Sequence, residues 1–386
     1  MRIVFFTGQY LPTAGGVERY TDSLAREIAA AGHEVVVVAS RLPGTPARET
    51  TGGVQVERWP ARLFMGGRFP VPRRGAEFAA SAAALWRRPI DLAVINTRFW
   101  ALSLWAARQC RRRGTPAIVI EHGSGPLSLG RPAADAAVHL YERLAMAWVR
   151  RHVSSFYGVS KASAEWLGHF GVEAAGVLHN AVFAAALRGE AAETEWDARS
   201  EWGWPADAQL VVFVGRLIPE KGIRELLAAF ERLRQSHRGV RLVLVGDGPL
   251  GAALAAQPGA GVHLAGLLPH REVLALLRQA DVFCLPSYSE GFSTVVLEAA
   301  AVGVAMVTTP VGGTTELVLD AGYGLLLPDL KPATIAESLA KALDDPAWRT
   351  RAVELCRNRV DTEFTWAKTA ERLLAIASAR GGPRRG

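Results

Sequence analysis

Along this chain short apolar runs alternate with longer stretches in which apolar residues recur every three or four positions. The short runs read as buried strands and the longer stretches as amphipathic helices. Ile3–Phe6 is the first strand. The loop Gly8 to Gly16 follows, and a helix runs from about Val17 to Ala30. Strands recur near Val35–Ala39, Leu92–Ile95, Ala117–Glu121 and Phe156–Val159, and Gly176–His179 closes this series. The Ala- and Trp-rich segment from Ala181 to Pro205 reads as a hinge and lead-in. A second series has strands at Gln209–Val214, Arg241–Val245, Val262–Gly266, Val282–Leu285 and near Ala305. Such alternation predicts parallel sheets with helices on both faces, and two series predict two doubly wound α/β domains.

The candidate chemistry sits where strands end. Val282–Leu285 is followed by Glu290-Gly-Phe-Ser-Thr-Val-Val-Leu-Glu298, two carboxylates separated by a turn and an apolar helical pattern. Ser293 is the expected N-cap, and Glu298 is expected about two turns into the helix, on the side of Glu290. The N–H groups of Thr294 to Val296 would then form a phosphate-attracting helix N-terminus. Gln209–Val214 runs into Gly215-Arg216-Leu-Ile-Pro-Glu-Lys221-Gly222 and then an amphipathic helix. Two cations in one loop at the carboxyl end of a strand suit a diphosphate, Arg216 by bidentate contact and Lys221 as a point charge. Two unrelated surface glutamates and two solubilising cations are the plain alternative. A ligand with a diphosphate centre and hydroxyls on either side, such as a nucleotide sugar, satisfies both loops at once.

The set Gly215–Gly222, Val245-Gly-Asp-Gly-Pro249, Glu290–Glu298 and Val311-Gly-Gly-Thr-Thr-Glu316 resembles the C-terminal half of retaining glycosyltransferases of the GT-B type, family 4. Gly15-Gly-Val-Glu-Arg19, Gly32-His33-Glu-Val35, Glu121-His122-Gly123 and Gly158-Val-Ser160 follow the order of that family's N-terminal half, so the resemblance covers nearly the whole chain. It implies two facing Rossmann-like domains with an interdomain cleft. Residues 1–183 would form the acceptor-side domain, residues 184–364 the donor domain, and a C-terminal helix at about 365–380 would cross back onto the first. Arg216 and Lys221 would offset charge on the departing diphosphate. Glu298 would hold the ribose, and Glu290 with the backbone of Gly291, Phe292 and Ser293 the sugar hydroxyls. Thr294 and Val295 would present their N–H groups, and Leu267 and Leu268 would meet the base. Gly215 and Gly246 would let the backbone approach the donor, as would Gly15 and Gly16 on the other side. His122 would contact the transferred sugar, and Glu18 would accept a proton or bind acceptor. The family places Gly where this chain has Ser293.

A competing signal is Gly246-Asp-Gly-Pro-Leu-Gly251, a G-x-G-x-x-G turn after a strand. A dinucleotide-binding oxidoreductase would need an acidic residue at the end of the next strand, and that strand ends in Gly266-Leu267. No Asp-x-Asp occurs in the chain, so no metal and no separate cofactor is expected, the two cations standing in for a divalent ion. Two further readings stay open: a nucleotide-sugar epimerase of the same fold, and a catalytically silent sugar-nucleotide-binding partner.

Composition changes this picture in one respect. At 386 residues and 49% hydrophobic, the chain can bury two cores. It has no apolar run long enough to span a membrane and no signal-like h-region. Its three cysteines lack metal spacing, and a cytoplasmic location follows. The charge, however, is lopsided: residues 1–185 hold 22 Lys/Arg against 13 Asp/Glu, a balance of +9, and the remainder sums to −2. Arg111-Arg-Arg113, Arg150-Arg151 and the stretch Arg62 to Arg74 contribute, the last interleaved with Trp59, Leu63, Phe64, Met65 and Phe69. Such a surface would face an anionic membrane or a lipid-linked acceptor at the inner face of the cell membrane. No nucleic-acid-reading motif accompanies the charge. The donor would be a UDP- or GDP-sugar and the acceptor a glycan or lipid-linked glycan. The tail Gly381–Gly386 reads as frayed.

Overall fold

A computed structural model describes residues 1–13, 15–64, 67, 69–127, 132–257 and 259–380. The chain divides into two compact units, Met1–Asn180 with the segment from Trp366 onward, and Ala181–Thr365.

The first unit contains β1 (Arg2–Phe6), α1 (Gly16–Ala30), β2 (Glu34–Ser40), β3 (Arg48–Thr51), β4 (Val54–Trp59), β5 (Ala61–Phe64), β6 (Phe69–Pro72), α2 (Ala76–Leu85), β7 (Leu92–Asn96), α3 (Ala101–Arg113), β8 (Ala117–Glu121), α4 (Pro132–Val149), β9 (Phe156–Gly158), α5 (Lys161–Trp166) and β10 (Gly176–Val177). Its main sheet has the order β10-β9-β8-β7-β1-β2-β4-β3. All neighbours pair in parallel except β3, which lies antiparallel on the β4 edge. β1 and β7, adjacent but far apart in sequence, mark the switch point where ligands of open α/β sheets sit. The inner strands are covered on both faces, hence their unbroken runs of Val, Ile and Phe.

The stretch Trp59 to Arg74 behaves differently from the sequence expectation. Trp59 is a core residue, 2% exposed, set edge-on against Phe78 at 5.1 Å and Trp105 at 5.3 Å. Its apolar partners come from α2 and α3, which a local reading of basic neighbours cannot see. Arg62, Leu63 and Phe64 are exposed on the β5–β6 hairpin, and Arg73 and Arg74 are exposed after it. Met65 and Arg68 lie outside the described residues, as does the tail from Gly381.

The second unit begins with α6 (Ala184–Glu193) and α7 (Ala198–Glu201), so the segment expected to be a hinge is largely helical and packs against α10 and α11 below. There follow β11 (Leu210–Val214), α8 (Ile223–Ser236), β12 (Arg241–Val245), α9 (Gly251–Ala256), β13 (Val262–Gly266), α10 (His270–Gln279), β14 (Val282–Leu285), α11 (Thr294–Val302), β15 (Ala305–Thr308), α12 (Thr314–Leu317), β16 (Leu325–Leu326), α13 (Pro332–Asp344) and α14 (Pro346–Glu363). Every pairing in the sheet β13-β12-β11-β14-β15-β16 is parallel. The switch point falls between β11 and β14. α8 buries Ile223, Leu226, Phe230 and Leu233, one face at helical spacing. α15 (Trp366–Arg380) belongs to the first unit, where Trp366 meets Tyr20 of α1 edge-on at 5.2 Å and Thr369 Oγ1 donates to the His179 carbonyl at 3.0 Å.

Candidate active site

In the second unit, the loops after β11 and β14 meet at the switch point. Gly222 ends the β11 loop in the left-handed region (φ 66°), and a Cβ there would collide with the Pro286 carbonyl, so only glycine fits. This close approach sets Lys221 beside the β14 loop, where its Nζ pairs with Glu290 Oε1. Ser287 Oγ donates to the same oxygen at 2.7 Å. Tyr288 N–H donates to the Glu220 carbonyl at 2.9 Å, which ties the two loops a second time. Arg216, on the same β11 loop, is exposed to solvent.

The other glycines are explained by loop-on-loop packing. A Cβ at Gly246 (φ 136°) would strike the Gly215 carbonyl, and one at Gly248 the Leu217 backbone. Gly215 N–H donates to the Val245 carbonyl at 3.0 Å and Leu217 N–H to the Asp247 carbonyl at 2.9 Å. The G-x-G-x-x-G turn therefore braces the loop that carries Arg216. Gly312 and Gly313 fit against Gly291 and the Phe292 ring in the same way. Phe292 is itself buried against Phe364 at 5.2 Å, so its side chain is committed to the core and its backbone is what can face a ligand.

α11 differs in two details from the sequence expectation. Ser293 occupies the N-cap position with an extended backbone (φ −63°, ψ 120°), but its side chain makes no capping hydrogen bond. Val296 N–H is taken up by the Ser293 carbonyl at 3.2 Å, so it is not offered to a ligand as the sequence suggested. Because the helix starts at Thr294, Glu298 lies one turn in, not two. Its side chain is almost fully buried, and its Oε1 lies 3.1 Å from His270 Nε2 at the start of α10. His270 follows Leu267, which is 77% exposed, and the half-buried Leu268. The sequence reading missed His270: a histidine opening a helix carries no local mark of a partner 28 residues away.

In the first unit, His122 and Gly123 follow β8, and both N–H groups donate to Glu121 Oε1, at 3.1 and 3.0 Å. Glu121 is fixed by Arg98, a fully buried guanidinium that also pairs with Glu142 at 2.5 Å and stacks over the Phe170 ring at 4.3 Å. Burial pushes the Glu142 carboxyl upward, against the pull of Arg98. Thr97, at φ 62°, turns the chain so that Asn96 and Arg98 can reach different partners. Thr21 Oγ1 spends its proton on the Val17 carbonyl at 2.7 Å, so it accepts from Asn96 Nδ2, also at 2.7 Å. Asn96 Oδ1 therefore faces His122 Nε2, 3.0 Å away. His122 carries its proton on Nε2 and keeps Nδ1 as the acceptor nitrogen. Burial pushes its pKa down to about 3, so it is neutral at ordinary pH. Asn96 and Thr21 escaped the sequence reading because they join His122 only through the sheet.

At the start of α1, Glu18 folds back over Gly15, where a Cβ would collide with its carboxylate. Burial raises the pKa of Glu18. Nothing crowds Gly16. Among the described residues, no group of three or more His, Cys, Asp or Glu forms a metal-holding cluster.

Comparison with known proteins assigns the class. Residues 194–359 match the family described as "Glycosyl transferases group 1" and residues 14–184 the one described as "Glycosyltransferase Family 4". A D-inositol 3-phosphate glycosyltransferase of Frankia alni is 31% identical, over 94% of this chain and 93% of its own. A glycogen synthase of Mycobacterium tuberculosis is 29% identical over 99% and 96%. The crystal structure of HepE from Anabaena in complex with UDP-glucose shares the fold, with a TM-score of 0.74, 19% identity and coverage of 98% and 100%. The fold is that of a GT-B glycosyltransferase, two Rossmann-like domains. The chain belongs to glycosyltransferase family 4 and is a transferase acting on nucleotide sugars.

Proposed function

We propose that the protein transfers a hexose, with retention of anomeric configuration, from a UDP- or GDP-sugar to a glycan or lipid-linked acceptor in polysaccharide or cell-envelope synthesis, at the cytoplasmic face of a membrane. The observation that carries this reading is the joining of the β11 and β14 loops through Lys221 and Glu290 at the switch point of the second unit. An ammonium has three N–H donors, so pairing with Glu290 leaves Lys221 able to meet diphosphate oxygens. Arg216 is exposed on the same loop and supplies a fork for them. Together with the first turn of α11, these groups stabilise the charge that develops on the departing diphosphate. Glu290 then holds sugar hydroxyls, Glu298 with His270 behind it holds the ribose, and the exposed Leu267 covers one face of the base. His122 Nδ1 accepts a hydrogen bond from a sugar hydroxyl. The cations take the place of a divalent metal. The related proteins are transferases, so an epimerase is the less favoured use of the same donor site.

Donor hydrolysis and transfer, followed by release of UDP from UDP-glucose or of GDP from its counterpart, test the reading. Lys221→Ala or Arg216→Ala should each lower turnover roughly 10²–10³-fold, the usual worth of one electrostatic stabiliser. Activity should persist in excess EDTA. Near-normal turnover in both variants would remove the cations from the mechanism, and a metal-restorable loss in chelator would return a divalent ion to it.

A further inference from the structure

The outer face of α4 is apolar where a solvated helix should be polar. Ala133, Ala136, Ala137, Leu140, Leu144 and Trp148 follow one another at spacings of three, one or four, which places them on one side of the helix. All six are exposed, Leu140 to 59%, Leu144 to 62% and Trp148 to 38%. The two carboxylates of the helix are elsewhere: Glu142 is buried on Arg98 and Asp135 lies on the inward half. Arg143 flanks the stripe, and Arg150 and Arg151 follow it. Trp148 Nε1 reaches the Leu104 carbonyl of α3 at 3.4 Å. One and two turns beyond Leu104 on α3 come Arg108 and Arg112, with Arg111 exposed beside Arg112. Residues 101–155 hold eight Arg and three carboxylates, of which Glu121 and Glu142 are buried and paired with Arg98 rather than placed on this surface.

The β5–β6 hairpin stands next to this helix. Phe69 of β6 packs on Trp100 at 5.3 Å and on Tyr141 of α4 at 5.8 Å. Its cross-strand partner Phe64 is 50% exposed, and Leu63 beside it is 37% exposed. Exposed apolar groups thus run from the hairpin along α4, with arginines around them.

We infer that this face of the first unit is a docking surface for an anionic lipid bilayer, the α4 stripe and the hairpin entering the acyl boundary while the arginines meet lipid phosphates. Charge decides the occupant. A second copy would bring the same arginines against these, a like-charge contact, whereas phosphate headgroups complement them. The inference takes its purpose, delivery of a lipid-linked acceptor, from the transferase reading. It is tested separately from it, because donor hydrolysis can be measured without vesicles.

The full-length protein is mixed with vesicles of phosphatidylcholine alone or with phosphatidylglycerol, and bound protein is measured by sedimentation. Wild type should bind the anionic vesicles at low salt and be released as ionic strength rises. Leu140→Gln with Leu144→Gln should weaken partitioning roughly 100-fold, the effect of withdrawing two leucines from an apolar phase. Arg143→Gln with Arg151→Gln should weaken it roughly fivefold per charge. Donor hydrolysis in solution should be unchanged in the leucine variant. A Leu144→Cys variant carrying an environment-sensitive dye should shift to the blue on anionic vesicles; Cys110, Cys284 and Cys356 are buried and do not compete for label. Absence of vesicle binding at low salt, binding indifferent to the leucine changes, or a dimer that those changes dissolve would each overturn the inference.

Discussion

At the residue scale, the two carboxylates of the proposed donor site are held by different kinds of partner, and this separates their predicted effects. Glu290 is bound to a cation and a hydroxyl, where the proposed mechanism would develop charge. Glu298, one turn inside α11, is buried and leans on His270 at the start of α10. Glu298→Gln should therefore mainly weaken nucleotide binding, a contact made equally in ground and transition states, while Glu290→Gln should lower kcat more than it raises KM. Steady-state kinetics read the split, and reversed effects would exchange the two roles. His122 offers a test of a different kind. Its folded pKa is depressed to about 3 from an ordinary value of about 6.5, so the unfolded chain binds the extra proton first as pH falls. The stability it contributes is complete above about pH 6.5 and is lost progressively as pH falls toward 3, at up to about 1.4 kcal/mol per pH unit. Urea denaturation between pH 7 and 4.5 should show this slope, and His122→Gln should flatten it. An unchanged slope would mean that the imidazole titrates normally and is not the neutral acceptor drawn here.

At the scale of elements, legibility tracked burial. β1, β2, β7, β8, β11, β12 and β14 lie inside sheets covered on both faces, so their apolar runs announced them. β3 reads Arg-Glu-Thr-Thr because it is an exposed antiparallel edge, and no hydrophobic pattern marks it. Trp59 was read with its basic neighbours, while its actual partners, Phe78 and Trp105, are reached only through tertiary packing. The placement of Glu290, Arg216 and Lys221 in the loops after β11 and β14 was legible because glycines and strand ends bracket them. Their pairing, and His270, Asn96 and Thr21, were not, since each contact joins separate elements. Gly222 shows how tightly a loop can depend on a neighbour. Gly222→Ala would force a side chain into the left-handed region and against the Pro286 carbonyl. It should destabilise the second unit by more than about 1 kcal/mol and displace Lys221 from Glu290. Thermal unfolding with nucleotide titration checks both consequences, and a variant that keeps wild-type stability and UDP affinity would show that the loop tolerates the shift.

At the scale of the whole molecule, each unit has its own sheet and its own core, and the chain leaves the first unit after Asn180 and re-enters it at Trp366. The first unit is therefore completed by the last helix: Trp366 and Leu373 are buried, and Trp366 lies against Tyr20, whose hydroxyl donates to the Leu178 carbonyl at 2.9 Å. The groups assigned to the diphosphate, ribose and base all belong to the second unit. A ligand that binds only the native state stabilises the part it binds, by about 2.7 kcal/mol at 100 times its Kd. Scanning calorimetry with UDP or GDP should consequently raise the unfolding transition of the second unit, and Lys221→Ala or Arg216→Ala should reduce that rise. Substitutions in the first unit that avoid nucleotide contacts, such as Arg98→Met, should lower the other transition and leave the nucleotide-dependent shift intact. Arg98 is a sharp probe because removing it strands Glu121 and Glu142 in the interior, a loss of about 3–5 kcal/mol. If nucleotide instead raises the transition that Arg98→Met lowers, the diphosphate is held chiefly by the first unit, and the loops after β11 and β14 lose their assignment.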